Sequence, residues 1–211
     1  MKLTKIKNPD MNSQIFRVGQ IYSFMGYDWT ACELINKGKT LVIQSHGVTH
    51  GKWPGFKMEK FGNGNYYADS IDGQDISGYD DKMQALYEAI KDAEYSSASY
   101  GKGLFLISKE KAGFTKCGKH GSGYYWTALK EAAMNYQSFG AANGGAWLGT
   151  DYGSTIAWCV CRYGHVSGSY QDGYDCVVAP AFNLDLSKVE VVGDEIMIKT
   201  MSALLGNTIL F

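Results

Sequence analysis

From residue 145 onward the sequence consists of short apolar segments separated by glycine-rich turns. The segments are short for helices, and β-branched and aromatic residues recur in them, which together indicate strands. The predicted strands are Gly145–Gly149, Thr155–Cys161, Tyr163–Val166, Cys176–Leu184, Val189–Val192 with Ile196–Ile198, and Leu204–Phe211. This pattern favours a fold that is rich in short strands and tight turns.

The N-terminal part of the chain predicts a β-hairpin. Large and polar side chains alternate along Tyr27–Ile35, as they do in a half-buried strand. Asn36–Lys39 is a turn sequence, and Thr40–Gln44 is apolar enough to pair back on the first strand. An earlier strand region is predicted within residues 14–24, whereas residues 45–78 are rich in Gly, Asn and Asp and predict a long loop region.

Two helices are predicted between the strands. Asp80 and Asp81 open the first helix, where negative charge favours the positive end of the helix dipole. Its apolar residues recur at spacings of three and four: Met83, Leu86, Tyr87 and Ile90. The second helix is predicted over Trp126–Phe139, with neighbouring faces formed by Trp126, Leu129, Ala133, Met134 and Gln137. Between the helices, Gly103–Ser108 predicts a strand and Ser108–Lys111 a capped helical turn.

The length of the chain, 211 residues, predicts a single domain, because roughly 100–200 residues per domain is typical. We expect this domain to span residues 1–211, with its core at about 15–190 and a C-terminal strand extension at 191–211. The sequence contains no apolar run of 18 residues, so no membrane-spanning helix is expected. The N-terminus also lacks the apolar run of a signal peptide, which favours a cytoplasmic protein or one carried on a larger particle.

Charge bears on the class of partner, and cysteine content bears on whether disulfides form. The formal net charge is −1, and among 20 lysines and arginines only Arg17 and Arg162 are arginine. Nucleic acid is therefore not an expected partner, because proteins that bind its backbone usually carry an arginine-rich basic face. The five cysteines are odd in number and lack the spacing of a disulfide framework, so reduced thiols are expected.

Four short motifs occur in a defined order along the chain. They are Gly26–Trp29, Ile107–Ala112, Trp147–Thr150 and Val178–Leu184. In order and spacing they resemble the C-type-lectin-like domains of bacteria and their phages over roughly residues 15–190. Ala179 departs from the family pattern, which commonly has arginine before the proline, so a buried contact made by that arginine is expected to be missing or replaced.

The resemblance implies an α+β C-type-lectin fold of short, twisted antiparallel strands with two helices and long loops. One branch of the family comprises the variable proteins of diversity-generating retroelements, which are often phage receptor-binding proteins. Their C-terminal tract is rewritten at template adenines, and the affected codons mostly encode Asn, Tyr, Asp, Ser, His, Gly, Arg or Cys. Residues 151–176 have this composition. The resemblance implies that Trp147, Trp158 and Val166 form the unvaried scaffold that supports them.

The resemblance therefore implies a binding protein with a hypervariable polar-aromatic surface, and not an enzyme. Abundant glycine and tyrosine, 26 and 15 residues, are a combination that recurs in binding surfaces. The expected ligand is a protein or a glycan on a cell surface. The candidate ligand-binding residues are Asp151, Tyr152, Ser154, Arg162, Tyr163, His165, Ser167, Ser169, Tyr170, Asp172, Tyr174 and Asp175.

Two alternative functions remain open. The chain could be a structural subunit of a phage particle that forms a homo-oligomer through its C-terminal strands. It could also be an oxidase related to the formylglycine-generating enzymes, which share this general fold and use cysteines. Cys159 and Cys161 lie two apart on a predicted strand, so both thiols face one side. Buried free cysteines are the favoured interpretation of this pair.

No metal or other cofactor is expected. His46 and His50 are four residues apart, but the glycines and β-branched residues around them argue against a zinc-binding helix, so they are interpreted as solvated loop histidines. The calcium signatures of animal lectins are absent from the sequence. Its acidic residues are explained by helix capping and turns: Asp72, Asp75, Asp80 and Asp81. The sequence contains neither a nucleophile elbow nor a phosphate-binding loop.

Overall fold

The computed structural model describes residues 16–51, 58–60, 66–68, 81–96, 103–114, 121–135, 145–151, 156–170 and 176–199. These residues form two helices, two larger sheets of mostly antiparallel strands and a two-stranded ribbon, which confirms the α+β class. The helices are α1, Asp81–Ile90, and α2, Gly123–Asn135. The strands are β1 Ile21–Phe24, β2 Tyr27–Ile35, β3 Thr40–Ser45, β4 Thr49–Gly51, β5 Met58–Lys60, β6 Tyr66–Ala68, β7 Gly145–Asp151, β8 Ile156–Cys161, β9 Val166–Tyr170, β10 Cys176–Val178, β11 Ala181–Asp185, β12 Val189–Val192 and β13 Glu195–Ile198.

The first sheet has the strand order β11-β3-β2-β1-β13-β12. The predicted hairpin is confirmed as β2 and β3, which pair antiparallel across a short 3-10 turn at Asn36–Gly38. The pairing register shifts between Ala31 and Glu33, so Cys32 forms a β-bulge. The strand region predicted within residues 14–24 is shorter than expected, because only Ile21–Phe24 is strand and residues 16–20 precede it as coil and turn.

The second sheet has the strand order β4-β10-β7-β8-β9. The single strand predicted over Cys176–Leu184 is wrong, because its two halves are β10 and β11 and belong to different sheets. Pro180 lies between them, and its missing backbone N–H cannot extend a hydrogen-bonded ladder. Short strands also occur in the region predicted to be a long loop, namely β4, β5 and β6.

The segment 103–114 packs beside the first sheet without being a strand of it. The strand predicted over Gly103–Ser108 is reduced to an isolated bridge, in which Phe105 and Ala181 exchange backbone hydrogen bonds of 2.9 and 2.7 Å. The capped turn predicted after it is confirmed, because Ser108 Oγ accepts a 3.1 Å hydrogen bond from the backbone N–H of Lys111.

The two helices bury the faces that their sequence periods define. Helix α1 buries all four predicted apolar residues. Helix α2 begins at Gly123, three residues before the predicted start, and buries Tyr125, Ala128, Leu129, Ala132 and Ala133. The predicted face was displaced, since Met134 is exposed and Trp126 is only partly buried. Within the described ranges, neither helix has the length and apolar character needed to cross a membrane.

The core consists of two hydrophobic clusters, each of which draws residues from both sheets. Trp29 from β2 and Trp147 from β7 are fully buried in the first cluster and donate from Nε1 to backbone carbonyls at 2.9 and 2.8 Å. The second cluster lies under α2 and includes Leu129, Val42 and Trp158. Because both sheets contribute to both clusters, the strands of one sheet support those of the other.

The residue before Pro180, where the chain differs from the C-type-lectin-like domains that its motifs resemble, is fully buried. Ala179 lies between β10 and β11, and its carbonyl oxygen accepts a hydrogen bond from the Gln44 side chain. Gln44 Oε1 and both amide atoms of Asn183 on β11 are buried and find no hydrogen-bond partner among the described residues. The side chain of Gln44 on β3 therefore holds the backbone at Ala179.

Candidate functional site

The candidate site is centred on the hairpin formed by β8 and β9. Gly164 N–H donates to Cys161 O and Cys161 N–H donates to His165 O, both at 2.8 Å. Gly164 has a φ of 80°, so the loop is a tight turn that ends in a left-handed residue, a common way to join two antiparallel strands. The strand predicted at Tyr163–Val166 is therefore wrong, because residues 162–164 form the turn and β9 begins at Val166.

The structure describes seven of the twelve predicted binding residues. Asp151 is the last residue of β7. Arg162, Tyr163 and His165 belong to the turn region, and Ser167, Ser169 and Tyr170 belong to β9. The remaining five residues lie outside the described part of the chain: Tyr152, Ser154, Asp172, Tyr174 and Asp175.

The alternation of β9 places the predicted residues on two faces. Ser167 and Ser169 pair with Cys159 and Ala157, whose side chains belong to the first core cluster. Tyr170 pairs with Ile156, two residues before Trp158, and therefore lies on the opposite face of the sheet. The structure thus does not bring all the predicted residues of β9 to a single face.

Two tyrosines at the ends of the hairpin are well exposed. Tyr163 in the turn is 64% exposed and Tyr170 at the end of β9 is 66% exposed. Trp158, Val160 and Val166 between them are buried. The hairpin therefore presents large aromatic side chains to solvent while its apolar residues hold it against the core.

Arg162 is ordered by its neighbour in the turn. Its guanidinium carbon lies 4.7 Å from the centre of the Tyr163 ring, and Nη2 donates to the Tyr163 hydroxyl at 2.6 Å. Because the arginine is stacked on and hydrogen-bonded to one side chain, it is already restricted before a partner binds. It therefore loses less conformational entropy on binding.

Sequence reasoning missed residues of α2 that extend the site. Trp126 Nε1 donates to the carbonyl oxygen of Gly164 at 3.2 Å, so α2 is joined directly to the turn. Lys130, one helical turn after Trp126, lies 5.4 Å from the centre of the Trp126 ring. The spacing of four residues was the available signal for this pair, but nothing in the sequence places it beside residue 164.

The cysteine pair lies on β8 as predicted, with both side chains on one side of the strand. Cys159 is 5% exposed, and its Sγ lies 4.0 Å from Ser167 Oγ, whereas Cys161 is partly exposed. Burial raises the pKa of the Cys32 thiol on β2 well above its usual range. Across the described segments, no three His, Cys, Asp or Glu side chains are grouped closely enough to hold a metal ion.

The two histidines predicted to lie in a solvated loop differ in environment. His50 is exposed but belongs to strand β4. His46 is partly buried, and its Nε2 lies 2.7 Å from Thr30 Oγ1. Burial lowers the pKa of His46, although nearby Asp28 and Glu131 act in the opposite direction. The interpretation is therefore wrong for the solvation of His46, which does lie in a bend, and for the loop position of His50, which is solvated.

The hairpin region presents aromatic and positively charged side chains to solvent. It combines exposed tyrosine rings, an ordered guanidinium group and, on the adjoining helix, Trp126 with Lys130. Comparison of the chain with protein-family models, curated proteins and solved structures finds no match. The functional argument therefore depends on the geometry and on the residue types of this surface.

Proposed function

We propose that the chain is a ligand-binding protein of the C-type-lectin fold that displays the β8–β9 hairpin as a diversified surface. One observation carries the proposal: Tyr163 and Tyr170 are about two-thirds exposed on a hairpin whose Trp158, Val160 and Val166 are buried. Large exposed aromatic side chains cost free energy in water, and on a rigid frame they are typical of contact surfaces. No catalytic role is assigned to any residue.

The sequence motifs support the retroelement branch of that fold. Trp147, Trp158 and Val166, the expected unvaried scaffold, are all buried, as positions that hold a replaceable surface must be. The described candidate residues around them are of the types that adenine-directed rewriting produces, namely Asp, Arg, Tyr, His and Ser. The proposed ligand is a protein or a glycan on a cell surface, bound by a receptor-binding protein of a phage or a related element.

The coarser architecture is compatible with this fold. Two sheets of short strands enclose a shared core, and two helices lie between β6 and β7 in sequence. The Gly26–Trp29 motif forms the start of the β2–β3 hairpin. Gln44 supplies a buried hydrogen bond to Ala179 O, at the position where the family commonly has arginine.

A library of variants tests the proposed division between surface and scaffold. Three positions on the turn or at the exposed end of β9 would be randomised in the full chain: Arg162, Tyr163 and Tyr170. Most clones should retain the fold, because surface substitutions usually change stability by less than about 0.5 kcal/mol. The measurement is resistance to proteolysis for each clone, read by deep sequencing.

A matched library at the buried positions of the same hairpin is the control. Trp158, Val160 and Val166 should tolerate few substitutions, and Trp158→Ala alone should cost about 3–5 kcal/mol. If the three surface positions prove as intolerant as these three buried ones, they are core residues and the proposed binding surface is wrong.

A further inference from the structure

Positive side chains lie over aromatic rings at four places around the second core cluster. The contacts are Lys109 over Trp158 at 4.7 Å, Lys111 over Tyr125 at 5.7 Å, Lys130 over Trp126 at 5.4 Å and Arg162 over Tyr163 at 4.7 Å, each measured to the ring centre. Significant contacts of this kind occur about once per 70–80 residues. Two of the four contacts, over Trp126 and Tyr163, involve rings that are partly or well exposed and therefore lie at the surface of the molecule.

Helix α2 and the β8–β9 turn form one continuous part of that surface. The hydrogen bond from Trp126 Nε1 to Gly164 O fixes the indole against the turn that carries Arg162. A Cβ at Gly121 would lie 2.6 Å from Trp126 Cδ1, so the indole also packs tightly against the backbone before α2. Lys130 and Arg162 are thus held on rings of α2 and of the turn, and the hydrogen bond from Trp126 to Gly164 joins these two elements. We call Trp126, Lys130, Arg162 and Tyr163 the cation–aromatic surface.

The charges of this surface are not neutralised within the described part of the molecule. Lys111 is ion-paired to Glu33 at 2.5 Å, and Lys109 lies 3.7 Å from Glu110. Lys130 and Arg162 have no carboxylate within ion-pair distance among the described side chains. Because the whole chain carries a formal net charge of −1, this positive pair is a local feature and not part of a generally basic protein.

The neighbouring strand offers a backbone that an extended peptide can pair with. Among the described strands, β9 is the last of its sheet. Gly168 pairs with Trp158. Cys161 and His165 form a hydrogen-bonded pair, and such pairs alternate with non-hydrogen-bonded pairs along an antiparallel ladder. Counted from that pair, the backbone groups of Ser167 and Ser169 form hydrogen bonds with β8, whereas the backbone N–H and C=O of Gly168 point away from β8. Gly168 is exposed, which leaves its backbone accessible to a partner.

We propose that the cation–aromatic surface docks the carboxylates of an extended acidic polypeptide that runs along β9. A guanidinium group binds a carboxylate with two parallel hydrogen bonds, and Lys130 supplies a second positive charge. Trp, Tyr and Arg are also the residues that dominate binding energy at protein interfaces. The proposal rests on the proposed binding function and specifies the chemistry of the partner. The edge backbone at Gly168 favours a polypeptide over a glycan as the source of the carboxylates.

Poly-L-glutamate is the probe that tests this proposal. Binding of the full chain would be measured by biolayer interferometry at about 20 mM and 200 mM salt, and the affinity should fall as exposed charges become screened. Combining Lys130→Met and Arg162→Met should weaken binding at low salt roughly tenfold, since two exposed charge pairs are lost together. Each single variant should show part of the loss, and thermal melting would verify that each is folded.

The control variant removes the same number of positive charges from other parts of the molecule. Lys82 on α1 and Lys188 after β11 are exposed, and converting both to Met should leave the affinity unchanged. Alginate, whose carboxylates are carried on a carbohydrate, is the second probe and should bind more weakly than poly-L-glutamate. The proposal is overturned if poly-L-glutamate does not bind, if alginate binds as well, or if the control variant loses as much affinity. None of these outcomes affects the library test of the surface itself.

Discussion

At the scale of single residues, His46 links the bend before β4 to two other elements. Its Nε2 contacts Thr30 Oγ1 on β2 at 2.7 Å, and its backbone oxygen accepts a 3.4 Å hydrogen bond from Asn135 at the end of α2. Burial lowers the pKa of His46 below its ordinary value of 6.5, against the opposing effect of Asp28 and Glu131. A residue with a lowered pKa in the folded state makes stability depend on pH.

The sign of this dependence follows from proton binding. In the pH range between the folded pKa of His46 and about 6.5, the unfolded chain binds more protons than the folded chain. The free energy of unfolding should therefore fall as the pH decreases below about 6.5, and should level off below the folded pKa. Urea unfolding at a series of pH values from 8 to 5 measures this slope.

Substitution isolates the contribution of His46. His46→Gln should remove part of the slope, whereas the same change at exposed His50 should leave it as it is. Equal slopes for the wild-type chain and the His46→Gln variant would show that burial of this imidazole does not affect stability.

At the scale of elements, the turn between β8 and β9 sets the direction of Arg162 and Tyr163. Gly164 adopts a φ of 80°, which is costly for residues with a Cβ. The same residue provides the carbonyl that accepts from Trp126. A change at this glycine therefore acts on the turn and on its connection to α2 together.

Gly164→Ala should lower the free energy of unfolding by about 1–2 kcal/mol, because the left-handed conformation disfavours alanine. Gly164→Asn should cost less, since asparagine tolerates this conformation better than alanine. Chemical denaturation of both variants provides the comparison. Equal stability of the alanine variant and the wild-type chain would mean that the turn does not require the left-handed residue.

The elements that the sequence predicted well are those defined by local pattern. The β2–β3 hairpin follows from alternation and a turn sequence, and α1 follows from apolar spacing. The division of residues 176–185 between two sheets was not predicted, because apolar residues continue on both sides of Pro180. The displaced start of α2 has a similar cause, since the packing of Tyr125 against the second cluster is a tertiary contact.

The candidate site shows the same limit. Residue types indicated Arg162, Tyr163 and Tyr170 as surface residues, and the structure describes them as partly or well exposed. The contact between Trp126 and Gly164 spans 38 positions of sequence, so no local pattern could reveal it. Strand alternation alone would have placed Ser167 and Tyr170 on opposite faces of β9, had the first residue of that strand been known.

At the scale of the whole molecule, the hairpin is supported by a core that both sheets share. Trp158 and Val160 reach the second cluster, whereas Cys159 and Ala157 reach the first. Side chains on both faces of β8 are therefore anchored, and exposed residues of the turn and of β9 can vary without loss of this anchoring. A surface of this kind suits a protein whose binding residues are replaced while its fold is kept.

The DNA around the reading frame provides the most direct test of this account. We predict a nearby near-copy of the segment encoding residues 147–182, beside a reverse-transcriptase frame and differing from it at adenines. The differing codons should include those of Arg162, Tyr163 and Tyr170, and should exclude those of buried Trp158 and Val166. A fully sequenced locus without such a copy, or adenine differences concentrated in the buried codons, would contradict the proposal that this hairpin is a diversified binding surface.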